Sequence, residues 1–112
     1  LLGIPPVSTG LVIFAHGSGS GRLSPRNNHV AAELRMHGQA TLLIDLLTAE
    51  EEQNRRNVFD VRLLASRLKS ATQWARNNTD LRHLPIGYFG ASTGAAAAFI
   101  AAADDRDIAA IV

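Results

Sequence analysis

Apolar residues in this chain alternate between short unbroken runs and longer stretches that repeat every three to four positions. "LVIFA" (Leu11 to Ala15) follows a glycine and contains no polar residue, as expected for a strand buried on both faces. "ATLLIDLL" is a second run of this kind, "PIGYFG" a third and "IAAIV" (Ile108 to Val112) a fourth, while "LLGIPP" reads as the end of an earlier strand. Helical periods separate them. Ser24 suits an N-cap, Pro25 the first helical position and Gly38 the residue just past the last turn, with Val30, Ala31 and Leu34 facing inward. From Asp60 a clear amphipathic stripe places Val61, Leu64, Ala65, Leu68, Ala71 and Ala75 on one face. Thr93 to Ala103 forms a third helix. The acidic stretch Glu50 to Glu52 leads into an arginine-containing exposed loop, Asn54 to Asn57.

Strands separated by helices are joined by right-handed crossovers, which predicts an α/β fold: a parallel sheet between two helical layers. For helices to bury both faces, the strands must lie in the spatial order second, first, third, fourth. Functional groups in such sheets collect at the carboxyl ends of the strands. Two glycine-rich stretches fall at that edge, "HGSGSG" after the first strand and "GASTG" after the third, and Asp45 ends the second.

Composition narrows the classes without naming one. With 112 residues, 46% hydrophobic content and a formal charge of +1, the chain has the size of one globular, soluble domain. Ten of its eleven basic residues are arginine, but they are spread among ten acidic ones, so there is no nucleic-acid stripe. The absence of cysteine removes disulfides and thiolate metal sites and fits a reducing compartment. "LLGIPPVSTG" carries no leader pattern, and the apolar stretch Ala95 to Ala103 is too short to span a bilayer. The expectations are a cytoplasmic location, no membrane partner, and no cofactor or metal.

The pentapeptide Gly90-Ala91-Ser92-Thr93-Gly94 has the form G-x-S-x-G between a strand and a helix. At such a corner the serine is held in a strained conformation above the sheet edge, at the positive end of the following helix, and residues two before and two after must be tiny. Gly90 and Gly94 meet that need, and Ser92 is the candidate nucleophile; the plainer alternative is a structural turn serine. An acyl-transfer site also requires two N–H donors aimed at an oxyanion. The amide of Thr93 is one candidate. The other lies in the loop of the neighbouring strand, where Gly17 allows close approach and Ser18 donates. His16, part of that loop, reads as a residue that fixes the loop rather than as the base.

These two motifs, at their observed order and separation, resemble the dienelactone-hydrolase-like branch of the α/β-hydrolases, specifically a bacterial group in which such a domain also occurs fused to a phosphoribosyltransferase. The resemblance runs over nearly the whole chain. It implies the central strands of an α/β-hydrolase core and a serine hydrolase of small ester-like molecules, with Ser92 where dienelactone hydrolases carry cysteine. In the family the acid and the histidine follow the nucleophile, each after a later strand or loop. Here the chain stops on the strand before both, so residues 1–112 are expected to form a single partial domain carrying the nucleophile half. His29 and His37 fall on the first helix, His83 lies at the amino edge, and Asp104, Asp105 and Asp107 point away. A compact triad of His16, Asp45 and Ser92 is the alternative from within. An open apolar edge at Ile108, Ile111 and Val112 would favour self-association.

A rival from another class is dinucleotide binding, through the "HGSGSG" loop and Asp45 at the carboxyl end of the second strand. Against it, the sixth-position glycine is replaced by Arg22 and the helix starts only at Ser24-Pro25. A non-catalytic interaction domain is the third possibility.

Overall fold

The Leu11–Ala15 run lies at the centre of a five-stranded sheet in the computed structural model of the protein, which describes residues 1–112. The strands are β1 (Leu2–Gly3), β2 (Gly10–Ala15), β3 (Gln39–Leu43), β4 (Ile86–Gly90) and β5 (Ile108–Ile111), in spatial order β1-β3-β2-β4-β5. The four strands expected from the apolar runs therefore adopt the expected order, and all their pairings are parallel. β2 is flanked on both sides: Leu11 pairs with Ala40 and Ile86, and Ala15 with Gly90. That double flanking explains why its sequence is apolar without alternation.

Five helical segments complete the chain: α1 (Pro25–Met36), α2 (Ala49–Glu52), α3 (Arg55–Val58), α4 (Val61–Arg76) and α5 (Thr93–Ala103). One face of the sheet carries the larger core, where Leu11, Ile13, Leu42, Ile86 and Tyr88 pack beneath Leu64, Leu68 and Ala75 of α4 and Ala97, Ala98 and Ala101 of α5. The opposite face carries a smaller one, Phe14 and Leu43 beneath Ala31 of α1. Ser24 caps α1 by accepting the Asn27 amide, as its position before Pro25 predicts. Thr72 joins the buried face of α4, where its hydroxyl lies 2.6 Å from the Tyr88 hydroxyl. This pair meets the hydrogen-bonding need of two buried polar groups.

Three expectations are corrected. The sheet as a whole is mixed, because β1 pairs antiparallel with β3. A two-residue edge strand has no crossover helix to dictate its direction. β3 stops at Leu43, whereas the apolar run continues to Leu47. Leu46 and Leu47 are buried as core residues without being strand, and the Leu46 amide donates to the His16 ring instead of to a ladder. Finally, the acidic stretch from Glu50 and the presumed loop to Asn57 fold into two helical turns, each capped by its own side chain: Thr48 with Glu51 in a reciprocal capping box, and Asn54 to the Arg56 amide. The chain contains no helix long and apolar enough to cross a membrane.

Candidate active site

Two glycines allow α5 to start where it does. A methyl group at Gly94 would collide with the carbonyl oxygens of Ala15 and His16, and one at Gly90 would stand 2.7 Å from the Ala95 α-carbon. The first turn of α5 therefore sits directly on the carboxyl end of β2. Ser92 is the corner residue between β4 and α5, with φ 55° and ψ −124°. It is the only non-glycine residue in the chain at positive φ. A side chain there costs of order 1–3 kcal/mol in backbone strain. Ser92 is exposed and occupies the N-cap position of α5 but makes no capping hydrogen bond, unlike the caps Ser24, Thr48 and Asp60.

The loop after β2 closes against this corner. A methyl group at Gly17 would lie 3.1 Å from both the Ala91 carbonyl oxygen and the Ser92 β-carbon, so Gly17 is in contact with the elbow. The amides of Ser18 and Thr93 donate to no acceptor in the chain, whereas the Ser20 amide is tied back to the Gly17 carbonyl. Ser18 is exposed and lines, with Thr93, a cleft of about 380 Å³. The floor and far wall of the cleft come from Leu47, Val58, Phe59 and Leu64, with Glu52 and Arg55 contributed by the two short helices. Arg55 lies 5.6 Å from the Phe59 ring centre, a cation–π arrangement at the rim. Thr93 Oγ1 is the one buried side-chain oxygen with no hydrogen-bond partner.

His16 is buried, and both ring nitrogens are engaged. Nε2 accepts from the Leu46 amide at 2.9 Å, which requires the neutral tautomer with its proton on Nδ1, and Nδ1 donates to the Gly17 carbonyl at 2.9 Å. Asp45 lies two residues beyond β3, and its carboxylate accepts from the Arg22 amide at 2.7 Å and pairs with the Arg22 guanidinium. The structure therefore does not join His16, Asp45 and Ser92 into a triad. His29, His37 and His83 are exposed on α1 or before β4, and Asp104 and Asp105 are paired with Lys69 and Arg76 of α4. Nor is Asp45 free for a ribose hydroxyl, as a dinucleotide site of this kind would need.

Pattern reading missed the Ala49–Val58 segment, which supplies Glu52, Arg55 and Val58 to the cleft. The signal was present in the Thr48-x-x-Glu51 box and in Asn54, four residues ahead of the apolar pair Val58-Phe59. A bidentate pair of Arg67 with Glu51, at 2.8 and 2.7 Å, fastens the segment to α4. The Arg67 hydrogen bonds, followed by the Thr48 amide, hold the Glu51 carboxyl down at about 2. Both partners are partly exposed, so salt screens the pair.

No family model matches the sequence. Over 105 residues, 94% of the chain, it is 60% identical to two Mycobacterium tuberculosis proteins named as phosphoribosyl transferases. The chain spans only 24% of the length of these curated relatives. Among solved structures it is similar to a dienelactone hydrolase from Anabaena variabilis, with 55% sequence identity and a TM-score of 0.91 over 98% of this chain and 52% of that one. The α/β hydrolase GrgF from Penicillium shares the fold at 23% identity and a TM-score of 0.77, over 98% of this chain and 38% of the other. The fold is that of the α/β-hydrolases, and the resemblance to dienelactone hydrolase extends along almost the entire chain. Its occurrence within longer proteins named for a phosphoribosyl transferase matches the expected fusion.

Two expectations follow. Ser92→Gly should be more stable to denaturant than Ser92→Ala by about 1 kcal/mol, because relief of about 1–3 kcal/mol of strain outweighs the roughly 0.4–1 kcal/mol that glycine adds to the freedom of the unfolded chain. The reverse order would show that the corner is unstrained. For Glu51, a carboxyl whose pKa is lowered in the folded state contributes above its ordinary value of 4.5, and that contribution disappears as pH falls through about 2. The protection of α2 amides relative to their intrinsic exchange rates at each pH should therefore fall over that window, and Glu51→Gln should flatten the response. An identical profile in the variant would exclude the clamp.

Proposed function

We propose that this chain, dienelactone-hydrolase-like in sequence and α/β-hydrolase in fold, carries the nucleophile half of a serine hydrolase site for small ester-like molecules. The observation that carries this reading is Ser92 itself: a strained, exposed corner serine, unused as a cap, against a loop whose Ser18 amide is as free as that of Thr93. Ser92 Oγ attacks the ester carbonyl while a base takes the hydroxyl proton. The carbonyl oxygen becomes an oxyanion, and the Thr93 and Ser18 amides stabilise it together with the positive end of α5. Collapse expels the alcohol, protonated by the base, and leaves an acyl-serine that water hydrolyses to the acid. Gly90, Gly94 and Gly17 allow the two loops to meet, and His16 fixes the second.

The base and its orienting acid are the parts these residues do not bring to Ser92, since His16 has both nitrogens occupied and the other histidines lie elsewhere. The 112 residues alone should therefore work at the level of an oxyanion hole without a triad, on the order of a thousandfold over water and far below a full enzyme. A fluorophosphonate should label Ser92, slowly and alone, and Ser92→Ala should abolish labelling. Modification elsewhere, or none after prolonged incubation, would refute the assignment. Rapid turnover of p-nitrophenyl acetate that is lost on His16→Ala would instead establish the compact triad.

The same proposal covers assembly in the cytoplasm, with a phosphoribosyltransferase domain as the partner on the same polypeptide in relatives of this kind. β5 pairs on one side only; Ala109, Ala110 and, just past the strand, Val112 are exposed without a lysine or proline to deter pairing, whereas Ile108 and Ile111, expected on that open edge, are half-buried against the core. Sedimentation should find the isolated chain self-associating through this edge, and Ala109→Lys should shift it to monomer. A monomer at all concentrations would contradict the edge contact.

A further inference from the structure

We propose that Asp45 is a positioning residue for the oxyanion loop: by accepting the Arg22 amide it holds the Gly17–Gly21 segment so that the Ser18 amide faces the Ser92 corner. The inference rests on the hydrolase reading and adds to it a role that lies outside both motifs. Two anchors fix the loop, and both come from the same short stretch after β3. At its start the His16 ring ties the Gly17 carbonyl to the Leu46 amide. At its end the Asp45 carboxylate receives the Arg22 amide at 2.7 Å. Between the anchors the only backbone bond made by an amide is that from Ser20 to Gly17. Ser18 and Gly19 are exposed. Without Asp45 the far end of the loop would be held only through the turn that Asn28 and the Ser24 amide brace, with no tie to the segment after β3, and the Ser18 amide would sample more directions.

Gly21 belongs to the same contact. A methyl group there would stand 2.7 Å from Asp45 Oδ1, so the carboxylate reaches the loop only across a glycine. The Arg22 guanidinium adds less than the amide does: the two side chains are 47% and 33% exposed, so solvent and salt screen their pairing. A carboxylate-to-amide bond is charge-assisted, yet the Oδ1 of asparagine could still accept it. Asn28 steadies the same turn from α1, donating to the Arg22 and Ser24 carbonyls at 2.9 Å each.

Loss of one oxyanion donor outright costs about a hundredfold to a thousandfold in rate, and loosening it should cost less. The rate at which a fluorophosphonate labels Ser92 should therefore fall about tenfold or more in Asp45→Ala. It should stay within about threefold of the parent in Asp45→Asn, which retains the acceptor, and in Arg22→Ala, which retains the amide. Gly21→Ala, which pushes the carboxylate away while leaving Asp45 intact, should reproduce the fall and serves if Asp45→Ala does not fold. Amide exchange at Ser20 and Arg22, whose N–H groups are bonded in the parent, should quicken in the two impaired variants while exchange in β2 and β4 stays unchanged. Unaltered labelling or unaltered loop exchange in Asp45→Ala would overturn the proposal, as would Arg22→Ala falling as far as Asp45→Ala. If the parent chain is not labelled at Ser92, the hydrolase reading fails, and loop exchange alone decides whether Asp45 anchors the loop.

Discussion

Everything near the candidate site depends on how closely α5 approaches the end of β2. An α-helix normally stands off a sheet by the length of its side chains, but here Gly94 has none, and the helix start rests on the Ala15 and His16 carbonyls. That proximity forces the chain to leave β4 and enter the helix within two residues, which drives Ser92 to φ 55°. The strain is tolerated because the contact is anchored by two cores. Ala97, Ala98 and Ala101 hold α5 onto the larger apolar cluster, and β2 is fixed by a strand on each side. A small-residue helix face and a central strand together make a corner that no local preference would choose.

Around that corner the polar groups are arranged as ties between loops rather than as a reacting set. His16 ties the loop after β2 to the segment after β3 through backbone groups on both sides, and Asp45 is spent on the Arg22 amide and guanidinium. What remains unspent is the Ser92 hydroxyl, the amides of Ser18 and Thr93, and the buried Thr93 hydroxyl. Separation of committed from uncommitted polar groups is what a preorganised site requires, because donors that need not leave other partners are ready when charge develops. The second wall of the cleft is built differently. Two single-turn helices, too short to be stable alone, are fastened by their own caps and by the Glu51–Arg67 pair.

The pattern of the chain determined a good deal on its own. Unbroken apolar runs identified β2, β4 and β5, the cap at Ser24 and the amphipathic stripe from Asp60 marked α1 and α4, and the crossover rule ordered four strands correctly, because each of these is decided by burial or by local backbone chemistry. The G-x-S-x-G spacing carried the corner geometry too, since only glycine fits where the backbones touch. Tertiary structure alone decided the rest. Leu46 and Leu47 look like strand because burial reads the same in any conformation, and only the His16 ring, thirty positions away, takes the Leu46 amide out of the ladder. Asp45 could equally have oriented a base or held a ribose until Arg22 was brought to it across 23 positions. Whether an ionisable side chain reacts or merely holds a loop depends on partners distant in sequence, and those partners exist only once the chain has closed on itself.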